Sequence, residues 1–137
     1  MPIPYSAYWR DTEGMRILLI DDDPLLLEAL PPALARRLPH SNITTASRPQ
    51  DGLHHLEQES FDVVITDLLM SGMPGTELTV RIKSLAHRVP VILITGVPEC
   101  PGEVLPANLF AVVRKPFDIN ILVQTIVAAA ESPNSAS

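Results

Sequence analysis

Three observations predict that this chain folds as a doubly wound α/β sheet. Short β-branched apolar runs recur along it, at Ile17–Ile20, Ile43–Thr45, Val63–Thr66, Val91–Ile94 and Ala111–Val113. The clearest of them, Ile17-Leu18-Leu19-Ile20, Val63-Val64-Ile65 and Val91-Ile92-Leu93-Ile94, have no polar face. Strands covered on both sides of a parallel sheet read this way. Between the runs lie longer segments with helical spacing, and strand–helix–strand alternation implies right-handed crossovers.

The elements follow in order. After the first strand, Asp23 offers a short acceptor for a helix N-cap, and Pro24 brings the fixed φ suited to the first helical position. Leu25, Leu26, Ala29, Leu30, Ala33, Leu34 and Leu38 then mark a helix. Within it Pro31-Pro32 remove two N–H groups and predict a kink near Leu30. The second strand leads, through the cap candidate Ser47, to a helix carrying Leu53 and Leu56 and ending near Gln58 and Glu59. The third strand precedes a helix marked by Leu78, Ile82, Leu85 and Ala86. After the fourth strand, Pro98, Pro101 and Pro106 punctuate the place of a fourth helix, which is expected to be short, irregular or absent. The fifth strand is followed by Asp118, a cap for a last helix with Ile119, Leu122, Ile126 and Ala129.

Composition narrows the function classes. A chain of 137 residues fits one ordinary domain, expected over 15–131 between an N-terminal arm (1–14) and a polar, flexible tail (132–137). With 46% hydrophobic and 19% charged residues it is not a disordered chain. Sixteen Asp plus Glu against ten Lys plus Arg give a net charge of −6, and Lys83 and Lys115 are the only lysines. Such a chain is a poor match for a phosphate backbone, so no direct nucleic-acid partner is expected. Cys100 alone excludes an internal disulfide and a Cys-based zinc site, and reads as a loop thiol. No apolar run reaches the ~18–20 residues of a membrane span, and the start, Met-Pro-Ile-Pro-Tyr-Ser, lacks the regions of a signal peptide. A cytoplasmic protein without membrane contact is expected.

Several features carry no catalytic signal. His54 and His55 point about 100° apart on a helix, too far to chelate one ion well, and read as surface residues. His40 and His87 sit beside Pro39 and Pro90 with no partner signal. Tyr5, Tyr8 and Trp9 crowd the first nine residues. A disordered arm, an arm packed on its own domain, and a homodimer or partner contact all remain open for them.

The informative residues are those that follow the apolar runs, because ligands of an open α/β sheet bind outside the carboxyl ends of the strands. Asp21, Asp22 and Asp23 follow the first run and Asp67 the third; Thr95 ends the fourth and Lys115 follows the fifth. Singly, each has a structural explanation, and Asp23 before Pro24 reads mainly as a cap. Jointly they place carboxylates, a hydroxyl and an ammonium on one sheet edge. Clustered carboxylates repel and need a cation to coexist ionised. Oxygen donors without nearby His or Cys favour a hard ion such as Mg²⁺, and a lysine and hydroxyl beside it would complete a phosphoryl-binding pocket.

Four ordered motifs now resemble a known family. Ile17–Pro24 (ILLIDDDP), Phe61–Gly75 (FDVVITDLLMSGMPG), Val91–Gly96 (VILITG) and Val112–Phe117 (VVRKPF) are similar to the response-regulator receiver domain of two-component signalling, over about Met15 to Glu131. The resemblance implies a flavodoxin-like five-stranded sheet in the order 2-1-3-4-5. It implies that Asp67 is the phosphoacceptor, taking a phosphoryl group from a sensor histidine kinase or phosphotransfer protein. It further implies Mg²⁺ held by Asp22 directly, by Asp21 mainly through water, by Asp67 and by the backbone carbonyl of Leu69. Thr95 would hydrogen-bond the phosphoryl group, Lys115 would pair with it, and the Lys115–Pro116 bond would be cis. Such a domain is a signalling switch and turns over no small molecule. With no output domain after Glu131, its signal is expected to pass by contact with a downstream protein, or the chain is a receiver from a larger regulator.

The chain also departs from the family. The aromatic usually found three residues before the lysine is Val112; Phe110 lies two residues further back, where strand alternation predicts it on the same side. Ser71 stands where the Asp-x-x-Met-Pro loop has its proline, and Pro74 replaces a common Asp. Leu69 and Val97, two positions after Asp67 and Thr95, are apolar and cannot orient an attacking water, so a slowly hydrolysing phosphoform is expected. Two rival functions stand beside the receiver. A protein-binding pseudo-receiver independent of phosphate is suggested by Val112 and the proline-broken segment. An aspartate-nucleophile phosphohydrolase would typically have Asp-x-Asp after its first strand and an added cap domain, whereas this chain has consecutive acids and no room for a cap.

Overall fold

The computed structural model describes residues 14–67, 73, 75–86, 88–96 and 109–132. Five strands and four helices follow one another as β1 (Arg16–Ile20), α1 (Pro24–Arg37), β2 (Asn42–Ala46), α2 (Pro49–Gln58), β3 (Val63–Asp67), α3 (Gly75–Leu85), β4 (Val91–Thr95), β5 (Leu109–Arg114) and α4 (Ile119–Ala130). All strand pairs are parallel, in the order β2-β1-β3-β4-β5. The doubly wound sheet predicted from the apolar runs is the fold, in the flavodoxin-like strand order that the family resemblance implies. The proline-punctuated stretch 97–108, the expected place of an irregular helix, lies outside the described residues, as do the arm aromatics, His87 and the tail from 133 onward.

The unbroken apolar runs have a direct explanation in the packing. Alternate residues of β1 enter different cores: Ile17 and Leu19 pack with α1 and α4 around Leu30, Leu34, Leu122 and Ile126, while Leu18 and Ile20 pack with α2 and α3 around Leu56, Leu78 and Ile82. Burial of each such side chain stabilises the fold by about 1.5–3 kcal/mol. A polar residue at Ile17–Ile20, Val63–Ile65 or Val91–Ile94 would therefore cost stability on either face.

Three local details add to the sequence expectation or differ from it. First, α1 continues through Pro31 and Pro32 to Arg37. The missing N–H groups leave the carbonyls of Leu27 and Glu28 without their usual helical donors; Glu28 and Pro32 are exposed, Leu27 and Pro31 half-buried. Second, α2 starts at Pro49 with Arg48 as its cap residue and no side-chain capping bond, so Ser47 lies one position outside. The polar first turn Pro49-Gln50-Asp51-Gly52 hid this start, and proline at the first helical position sets it. Third, the β4–β5 register slips by one between Val91 and Ile92, pairing them with Leu109 and Ala111 and leaving Phe110 as the extra residue. Simple alternation therefore does not carry from Phe110 to Val112, and Phe110 is 41% exposed on the edge strand.

Gly14 leads into β1 with φ +90°, and a Cβ there would lie 1.6 Å from the His40 carbonyl oxygen. Only glycine fits both demands. Gly14→Ala is expected to destabilise the protein by about 1–3 kcal/mol, read as a lower urea midpoint at unchanged m-value.

Candidate functional site

Parallel register brings the strand ends together. Ile20 pairs with Thr66, Asp67 with Ile94, and Thr95 with Arg114. The next residue after β1 is thus Asp21, β3 itself ends in Asp67, β4 ends in Thr95, and the next residue after β5 is Lys115, all on one edge.

Local hydrogen bonds hold each group in place. The Asp21 N–H donates to the Ala46 carbonyl at 3.1 Å, carrying the β1–β2 ladder one residue past the strand. Asp21 Oδ1 accepts the Asp23 N–H at 2.9 Å, and Asp23 in turn caps α1 by accepting the Leu25 N–H at 3.0 Å. Asp23 therefore serves the helix, in line with its reading as a cap. The Lys115 N–H donates to the Thr95 carbonyl at 2.7 Å, and the Lys115–Pro116 peptide bond is cis.

Asp21 is fully buried, Asp67 and Thr95 are almost so, and Asp22 is exposed. One carboxylate oxygen from each of Asp21, Asp22 and Asp67 lies within 4.8 Å of the others. Lys115 Nζ bridges two of them, 3.3 Å from Asp21 Oδ2 and 3.2 Å from Asp67 Oδ2. Burial pushes the Asp21 carboxyl above its ordinary range, repulsion from Asp67 adds to this, and the Asp23 amide and Lys115 pull against it. Burial alone would lower the Lys115 pKa, but the Asp21 and Asp67 carboxylates outweigh it and hold the ammonium above its usual range.

With all three acids ionised, three negative charges and one positive charge leave a deficit that one divalent cation balances. The donors are oxygens only, the set that hard ions take. These residues can hold such an ion, and they are the one acidic or His/Cys cluster of that kind among the described residues.

The structure gathers Asp21, Asp22, Asp67 and Lys115 and sets Thr95 on the same edge. Leu69, Ser71, Pro74, Val97 and Cys100 lie outside the described residues. Val112 is half-buried on β5, paired with Leu93. His54 and His55 sit on α2, near Glu57 and Glu59 at 3.8 Å each, as surface residues apart from this edge. The sequence reading did not foresee that Lys115 engages two carboxylates at once. No sequence signal marks it, since the partners are 94 and 48 positions away.

Comparison with known proteins is consistent with this geometry. The family model of the response regulator receiver domain matches residues 17–127. The transcriptional regulatory protein GlrR of Escherichia coli K12 is 34% identical over 123 residues, covering 88% of this chain and 27% of that protein. The sensor histidine kinase RcsC of the same organism is 30% identical over 123 residues, covering 88% of this chain and 13% of the kinase. A CheY-like receiver domain protein from Methanospirillum hungatei JF-1 superposes with a TM-score of 0.79 at 26% identity, covering 86% of this chain and 94% of that one. The chain thus spans about a quarter or less of the length of these two curated relatives.

Proposed function

The chain belongs to the response regulator receiver domain family, and from that premise we propose that residues 15–131 form a phosphoacceptor receiver of a two-component phosphorelay. The observation that carries this reading is the buried Asp67 carboxylate set against Asp21, Asp22 and the Lys115 ammonium.

An Asp67 carboxylate oxygen attacks the phosphorus of a phosphohistidine on a sensor kinase or phosphotransfer protein. The new O–P bond forms as the P–N bond breaks, and the electron pair stays on the imidazole nitrogen. Asp22, Asp67 and the Leu69 backbone carbonyl would hold Mg²⁺, with Asp21 acting mainly through water. The ion supplies charge compensation for the transferring oxygens. Lys115, already 3.2 Å from Asp67, follows the negative charge from carboxylate to phosphoryl group. The Thr95 hydroxyl, one strand away, donates to the phosphoryl group. The protein's part is position and electrostatics, so its only chemistry is its own phosphorylation and slow dephosphorylation. We place this domain in the cytoplasm, signalling to a downstream protein by contact. Among the described residues no helix is long and apolar enough to cross a membrane.

Acetyl phosphate with Mg²⁺ is expected to add one phosphoryl mass to the wild type and none to Asp67→Asn. An adduct on both proteins overturns the assignment of Asp67. A second reading, a phosphate-independent pseudo-receiver, is favoured by Val112 and by the displaced, exposed Phe110. Saturable binding of Mg²⁺ with beryllofluoride, lost in Asp67→Asn, excludes it; absence of binding supports it.

A further inference from the structure

At the amino ends of the strands, opposite the carboxylates, α2 and α3 end beside each other and leave a groove of about 450 Å³. Leu56 and Val89 line it as buried apolar residues, Phe61 is half-buried, and Leu85 is 43% exposed. Glu57, Glu59 and Arg88 supply charged groups to its lining.

The described chain enters the fold at this same edge. Arg16, two residues after Gly14, pairs with Glu59, stands 5.6 Å over the Phe61 ring, and donates its backbone N–H to Asp62 at 2.8 Å. The residues before Gly14 include three of the chain's six aromatics, Tyr5, Tyr8 and Trp9. Five residues from Gly14 to Trp9 reach up to about 17 Å when extended, against a strand spacing of about 4.8 Å. Arg10, next to Trp9, is the one basic residue in that stretch, which also carries Asp11 and Glu13; its complement on the groove is the exposed Glu57, since Glu59 already pairs with Arg16.

We propose that the N-terminal arm docks into this groove, with Trp9 seated against Phe61 and Leu85 and Arg10 facing Glu57. An aromatic ring with a polar tip suits a groove that is apolar within and wet at its rim.

Trp9 is the sole tryptophan, so intrinsic fluorescence reads the contact directly. In the full chain, its emission is expected to be blue-shifted and its acrylamide quenching several-fold weaker than for N-acetyltryptophanamide, at every protein concentration. Leu85→Glu is expected to return both to the free-fluorophore values. Val80→Glu, at an exposed α3 position outside the groove, leaves them unchanged. Glu57→Lys, at an exposed position, provides a second test should Leu85→Glu disturb the far-UV circular dichroism; it is expected to raise the quenching. Solvent-like emission from the unmodified chain overturns the proposal, as does a blue shift indifferent to both groove variants. A blue shift that grows with protein concentration also overturns it, and assigns the groove or the arm to a second copy of the chain.

Discussion

Asp21→Asn is expected to raise the melting temperature of the metal-free protein while weakening its hold on Mg²⁺ about 10–100-fold. The two effects have one cause. Asp21 is fully buried beside a second carboxylate, and its pKa is raised by burial first and by Asp67 next. A group whose pKa is higher folded than unfolded binds its proton more readily in the folded state. Its ionisation therefore works against folding, and stability falls as pH rises from the ordinary carboxylate range through the folded pKa. The penalty grows as pH rises and is complete above the folded pKa. Asparagine keeps an oxygen to accept the Asp23 N–H and removes the charge, while Lys115 retains Asp67 at 3.2 Å. A higher Tm than wild type at neutral pH is expected, with the difference shrinking towards acidic pH. Saturating Mg²⁺ is expected to stabilise the wild type and to close the gap with the variant. Thermal melts at mildly acidic and neutral pH, with and without Mg²⁺, test this; a variant less stable than wild type at neutral pH without metal would contradict it.

The second large effect concerns the lifetime of the phosphorylated form. Leu69 and Val97 stand two positions after Asp67 and Thr95, and neither side chain can hydrogen-bond a water. Hydrolysis of the acyl phosphate needs a water aligned for attack on phosphorus, and alignment is a large share of such a barrier. The phosphoform is therefore expected to outlast those of receivers with polar residues at these places. Leu69→Asn and Val97→Gln are each expected to shorten its half-life about tenfold, measured by loss of radiolabel with Mg²⁺ present. Loss of label from the wild type within seconds would sink the idea, and so would equal lifetimes in wild type and variants.

Much of this molecule is legible in one dimension. The runs at Ile17, Val63 and Val91 are apolar on both faces because helices cover both sides of the sheet. That alone points to parallel strands. The acids and the lysine were visible because each directly follows or ends such a run, and parallel strands bring those ends to one edge. The start of α2 was less legible: its first turn is polar, and Leu53 is its first apolar residue. The one-residue slip opposite Val91 was not legible at all, since a bulge depends on the partner strand and not on the residues that form it.

The line between the two sources of information runs through the site itself. From sequence alone come the α/β class, the strand order implied by the family motifs, and the identity of Asp21, Asp22, Asp67, Thr95 and Lys115. These follow from local pattern, because side-chain period and chain order are properties of neighbours along the chain. Only the tertiary structure decides that Asp21 is fully buried while Asp22 is exposed, and that one ammonium bridges Asp21 and Asp67. It also sets Phe110 out of step with Val112. Burial and charge pairing are sums over groups dozens of residues apart, and they take definite values only when the strands are in register.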